Sequence, residues 1–153
     1  PRGPNHIDLG RAESTHTMTS TTRILTGSLA TLAVASGVSL VATWDTGSSA
    51  PCSNCARYTG SLSGSGQAQV QPNGDYYTSN RAGFQRGWLE GPANADFDLE
   101  LYRWNGSAWV RVARSINTGS SEQVAYNGSA GYYYWRIVSY SGSGSYQFWM
   151  QQP

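Results

Sequence analysis

The chain has 153 residues, enough for one domain with a real core, and carries ten Lys plus Arg against nine Asp plus Glu. A formal net charge of +1, with no basic cluster, excludes an electrostatic footprint for nucleic acid or for an anionic membrane. Charged residues make up only 12%, whereas Gly numbers 18, Tyr 10 and Trp 6, a mixture of turn formers and aromatics that favours β structure.

Pro1–Thr17 is polar and patternless, and reads as a leader without a fold of its own. Met18–Ala42, "MTSTTRILTGSLATLAVASGVSLVA", resembles a secretory signal: an initiator-like Met, Arg23, and then an apolar part over Ile24–Ala35 or Ile24–Ala42. Ala33–Ala35 offers small residues for cleavage. Ser, Thr and Gly interruptions argue against a stable membrane span. The alternative for this stretch is an Ala/Leu helix packed on the domain.

Residues 43–57 form a Ser/Gly/Pro-rich linker that holds the chain's two cysteines, Cys52 and Cys55. A small-loop disulfide suits the pair, with free thiols the alternative. A zinc site lacks further ligands, since the histidines, His6 and His16, lie far upstream, and a redox motif lacks its βαβ context. An oxidised pair fits an extracellular protein.

From Tyr58 onward, turn signals recur every eight to twelve residues or so, the spacing of an antiparallel β-sandwich or barrel. The expected strands are Tyr58–Ser63, Gln67–Gln71, Tyr76–Thr78, Phe84–Glu90, Phe97–Trp104, Ala108–Ser115, Gln123–Tyr126, Tyr132–Ser139 and Ser145–Met150. In "DFDLELYRWNGSAWVRV" a two-residue Asn105-Gly106 turn pairs Leu101 with Val110, Leu99 with Val112, Glu100 with Arg111 and Tyr102 with Trp109. A four-residue loop shifts the pairs but keeps the sides, because strand side chains alternate. Leu99, Leu101, Val110 and Val112 then point inward, and Tyr102, Trp104 and Trp109 outward. In "GYYYWRIVSYSGSGSYQFWM", Tyr133, Trp135 and Ile137 share a face that Tyr146, Phe148 and Met150 match after the turn. Tyr132, Tyr134, Arg136 and Trp149 take the other.

"DFDLELYRW" followed by "GYYYWRIVSYSGSGSYQFWM" resembles the bacterial pre-peptidase C-terminal domain family. The matching residues are Asp96, Asp98, Leu99, Leu101, Gly131, Tyr133, Ile137, Gly144, Tyr146 and Phe148. The region 58–150, with "YTGSLSGSG" and "QPNGDYY", is similar to the version appended to secreted actinobacterial serine peptidases. The resemblance implies an all-β fold, a jelly-roll-like antiparallel β-sandwich over residues 58–153. It also implies an accessory role in secretion, localisation or maturation of secreted hydrolases. Related collagen-binding domains, some of which use calcium, widen the expected targets to protein polymers. No peptidase catalytic domain precedes the accessory in this sequence.

Catalytic constellations fare poorly. Asp-Thr-Gly-Ser at Asp45–Ser48 occurs once, whereas aspartic-protease chemistry needs two carboxylates sharing a proton. No histidine follows Met18 and the chain has no lysine, so a hydrolase triad lacks its base. Paired acids for glycoside hydrolysis would have to come from Glu90, Asp96, Asp98 and Glu100, although Glu100 opposite Arg111 reads more simply as a surface ion pair. Asp96 and Asp98, hard oxygen donors beside a loop, are the candidate calcium ligands; no other cofactor is indicated.

Outward rings Tyr102, Trp104, Trp109, Tyr134 and Trp149 are the candidate ligand face, with Arg111, and nearby Arg103 and Arg136, as hydrogen-bond donors. The expectation is a secreted, non-catalytic accessory domain that binds an extracellular polysaccharide or protein polymer, or accompanies a secreted peptidase. The alternatives are a structural, secretion or self-assembly module without a ligand, and a carbohydrate-binding module.

Overall fold

A computed structural model describes residues 49–153. The leader, the signal-like segment and the first part of the linker, residues 43–48 with Asp45, lie outside the described residues. Cys52 and Cys55 form a disulfide, with Cα atoms 5.5 Å apart, just ahead of the first strand.

Nine strands follow: β1 Ala56–Leu62, β2 Ala68–Gln71, β3 Tyr77–Ser79, β4 Gly83–Glu90, β5 Asp96–Trp104, β6 Trp109–Ser115, β7 Ser121–Gly128, β8 Gly131–Ser141 and β9 Gly144–Gln151. Each expected strand is present, with ends displaced by a few residues at most. They build two antiparallel sheets, ordered β1-β9-β4-β7 and β2-β8-β5-β6, with β3 extending the edge beside β8. The chain passes from sheet to sheet between most consecutive strands, which is jelly-roll wiring.

Alternation explains the core. Phe97, Leu99 and Leu101 of β5 and Tyr133, Trp135 and Ile137 of β8 meet Leu89 of β4, Val124 of β7 and Tyr146, Phe148 and Met150 of β9 between the sheets. Sheet faces must bury their apolar side somewhere, and here each buries it on the other. Gly87 of β4 is shaped by this packing: a Cβ there would fall 2.7 Å from the Trp135 indole.

Three details depart from the expected pairing. The β5–β6 loop has four residues, because the Asn105 carboxamide oxygen accepts from the amides of Ser107 and Ala108 at 2.9 and 2.8 Å and closes it locally. Trp104 therefore faces Trp109, Arg103 faces Val110 and Tyr102 faces Arg111, and an irregularity at Leu101/Tyr102 then sets Leu101 opposite Ala113. Val110, expected inside, is 43% exposed because the longer loop moves it toward the hairpin tip. Leu99 and Leu101 are fully buried, and Val112 packs partly buried against the core. Lastly, β8 and β9 do not pair: they lie in opposite sheets, so their apolar faces meet across the sandwich.

Candidate functional site

The outer face of the β2-β8-β5-β6 sheet carries a continuous band of six rings. In register, Tyr102 of β5 lies beside Tyr134 of β8 on one flank and Arg111 of β6 on the other, while Trp104 pairs with Trp109. Tyr102 and Tyr134 stack with centroids 4.8 Å apart and planes 8° from parallel. Trp109 meets Tyr134 edge-on at 4.8 Å and Trp104 at 5.4 Å. Tyr76, from the turn before β3, bridges Trp109 at 5.8 Å to Tyr132 at 5.5 Å.

Ring orientation divides the band. Adjacent strands lie about 4.8 Å apart, so near-parallel rings at that separation are stacked along the sheet and stand upright on it. Tyr102 and Tyr134 thus turn edges outward. Trp109 and Trp104 sit at 69° and 63° to their neighbours, which breaks the stack and leaves the indoles as the rings able to offer a face. Tyr134 is only 8% exposed, whereas Tyr102, Trp104 and Trp109 are half-buried.

Beside the rings, the Glu100 carboxylate gathers three donors. Arg111 Nη1 donates to Oε1 at 2.5 Å, Arg136 Nη1 to Oε2 at 3.0 Å, and the Tyr102 hydroxyl to Oε2 at 3.1 Å. The Glu100–Arg111 pairing expected from the sequence exists, but diagonally, since the cross-strand partner of Glu100 is Arg114. Nor is it a simple surface pair, because Glu100 is 6% exposed. Burial alone would raise its pKa; the bonds from Arg136, Arg111 and Tyr102 outweigh that and hold the carboxyl below its ordinary range. Burial and the neighbouring Tyr102 push the Tyr134 phenol up to about 12.

Two expected members are elsewhere. Trp149 belongs to β9 in the opposite sheet, in register between Arg57 and Trp88, and is 1% exposed. Its outward parity was legible; its sheet and its burial were not. Arg103 sits on the other side of β5 from Tyr102, its guanidinium 5.9 Å from the centroid of the buried Tyr133 ring. Conversely, sequence reasoning missed Tyr76, which sits in a turn and has no strand periodicity to mark it.

Asp96 and Asp98 border a cavity of about 300 Å³ together with Ile116, Thr118 and Tyr140. Burial and Asp96 raise the pKa of Asp98, and Asp96 Oδ1 is enclosed without a hydrogen-bond partner. Among the described residues no third His, Cys, Asp or Glu joins them in a metal-holding group. Calcium takes about six to eight oxygens, so beyond these two carboxylates a site here would have to draw on loop carbonyls and water. The acids considered for hydrolysis are also dispersed: Glu90 is on β4 and Glu100 on the far face of the other sheet, tied up by its arginines.

No family model matches the chain. Among solved structures, the pre-peptidase C-terminal domain of a collagenase from Bacillus anthracis is similar at a TM-score of 0.53 and 17% identity, over 63% of this chain and 89% of that one. The Yersinia pseudotuberculosis-derived mitogen is similar at a TM-score of 0.48 and 22% identity, over 65% of this chain and 86% of that one. The first likeness supports a pre-peptidase-C-terminal-like sandwich fold.

Proposed function

We propose that the domain is a secreted, non-catalytic accessory to extracellular hydrolysis, of the kind appended to bacterial peptidases, and that it holds an extracellular polysaccharide or protein polymer on its aromatic band. The observation that carries this reading is the pair of half-exposed indoles, Trp104 and Trp109, set at an angle on an otherwise ordered sheet face beside Arg111. Rings in that position offer apolar area at low entropic cost, and the guanidinium supplies directional donors next to it. Tyr102 and Tyr134 brace the indoles from behind. The disulfide accords with an oxidising, extracellular setting.

The test is co-sedimentation of the purified chain with insoluble cellulose, chitin, xylan and fibrillar collagen. Retention on one of these by the wild type, lost in a Trp104→Ala/Trp109→Ala variant that keeps its fold, is the expected result. Equal behaviour of the two proteins on every polymer would overturn the reading.

A second reading is favoured by the mutual stacking of Tyr102 and Tyr134: part of the band stabilises the sheet without touching a ligand. A wholly structural module would show no retention on any polymer and no turnover of any substrate.

A further inference from the structure

The opposite sheet carries a cleft that the aromatic band does not use. It is an open depression of about 760 Å³ that crosses β1, β9 and the end of β4, with Gln69 of β2 and Tyr146 also on its lining. Thr59, Gln147 and Glu90 stand side by side on three adjacent strands, with Arg57 one row away and Ser61 and Ser145 one row beyond on the other side. All six border the cleft.

Three features define what such a floor would take. Its charges balance, one guanidinium against one carboxylate, which disfavours both anions and cations. Among the described residues Arg57 forms no salt bridge, and Glu90 accepts only a 3.2 Å bond from the Ser121 hydroxyl, so both groups retain bonding capacity. Gln147 is half-buried at the centre of the row, and its side-chain oxygen has no hydrogen-bond partner in the protein; a turn of the carboxamide is needed to present that acceptor to a ligand. Leaving such a group unpaired is costly, and a ligand hydroxyl would relieve it.

We infer that this cleft is a binding site for a neutral oligosaccharide, on the sheet opposite the aromatic band and independent of it. A planar guanidinium, a carboxylate and a carboxamide each span two hydrogen bonds, the spacing offered by neighbouring hydroxyls of a sugar ring. Serine and threonine hydroxyls donate or accept as the sugar requires. An apolar ligand would strand these groups, and a charged one would meet an opposing like charge. The site thus selects hydroxyl-rich, uncharged chains.

The experiment is an NMR titration of the isotope-labelled 153-residue chain with three soluble neutral probes, cellohexaose, xylohexaose and N-acetylchitohexaose. The expected result is a saturable shift of backbone amides at 57–61, 90 and 145–147 with at least one probe, undiminished in 1 M NaCl. Gln147→Ala and Arg57→Ala should each weaken it by about fivefold or more, while Trp104→Ala/Trp109→Ala leaves it unchanged. Arg57 is exposed on an edge strand, so that variant keeps the fold even if Gln147→Ala does not. No shift with any of the three probes, shifts confined to β5, β6 and β8, or binding abolished by salt would each overturn the proposal. Because the indole variant is scored separately, failure of this site and failure of the aromatic-band reading give different results.

Discussion

Replacing Glu100 by Gln keeps the shape of the side chain and removes its charge. In the native protein that carboxylate is 6% exposed and receives Arg111, Arg136 and Tyr102. Gln offers one acceptor oxygen in place of two and turns an N–H toward a guanidinium that can only donate. Breaking one side of a fully buried ion pair costs roughly 3–5 kcal/mol. Here the two arginine side chains are 42% and 34% exposed and regain water when released, which lowers the loss. We expect about 2 kcal/mol, or roughly a 10 °C fall in Tm for a domain of this size.

The pH dependence makes the test specific. The Glu100 carboxyl is held below its ordinary value of 4.5 in the folded protein, so its stabilisation is present above that value and is lost as pH falls through the folded pKa. The variant does not titrate at this position. The gap between wild type and Glu100→Gln, measured by urea unfolding with tryptophan fluorescence, should be widest near neutrality and narrow steadily below about pH 4.5. Arg114→Ala is the control: Arg114 is the cross-strand partner of Glu100 but makes no ion pair with it, and its loss should cost less than about 0.5 kcal/mol. A gap that stays constant down to about pH 3, or an Arg114→Ala cost equal to that of Glu100→Gln, would refute the assigned network.

Other expectations are as direct. Gly87→Ala drives a methyl into the Trp135 indole and should cost about 1–3 kcal/mol by chemical denaturation, although Ala is ordinarily harmless in a strand. Trp109→Ala, which removes contacts to Tyr76, Trp104 and Tyr134, should cost about 1–2 kcal/mol, and Trp104→Ala, which touches only Trp109 among the rings, under about 1 kcal/mol. Burial raises several phenols, Tyr77, Tyr102, Tyr133, Tyr134 and Tyr146 among them, and absorbance titration should show the high-pH ionisation reduced by one phenol, near 12, in Tyr134→Phe. Because that phenol is raised in the folded state, the wild type should lose stability as pH rises between 10 and 12, and Tyr134→Phe should lose less.

How far the sequence revealed all this depends on which signal each feature left. Period-two alternation in β5, β8 and β9 sufficed to identify Leu99, Leu101, Trp135, Ile137 and Phe148 as core, because a buried face imposes that period directly. Sheet membership leaves no such mark. The Gly/Ser link at Gly142–Ser143 reads as a hairpin, yet it carries the chain between sheets, and so parity groups Trp149 with Tyr134 although they lie on opposite sides of the sandwich. Asn105-Gly106 suggests a two-residue turn, and only the side-chain closure by Asn105 makes it four. Parity survived that error for Tyr102, Trp104 and Trp109; exposure did not survive it for Val110. The polar row of Thr59, Gln147 and Glu90 was invisible, since no local pattern links strands so distant in sequence.

The ring band also shows why parity alone cannot separate a binding face from a braced one. Tyr102, Tyr134, Trp104 and Trp109 share a side of the sheet, but their orientations assign them different work. A ring stacked flat against its strand neighbour gives a face to protein, as Tyr134 does against Tyr102, and Trp109 lies close to it as well, at 4.8 Å and 69°. A ring at the end of the row, like Trp104, meets one neighbour edge-on and keeps a face free of the others. Truncation should therefore split the two properties. Tyr134→Leu empties the middle of the stack and should lower stability by more than about 1 kcal/mol. Its effect on polymer retention should be slight if the indoles stay in place. Trp104→Ala should do the reverse, abolishing retention at little cost in stability. If both variants lost retention in proportion to their lost stability, the band would be a single cooperative structural element, and ring orientation would carry no functional information.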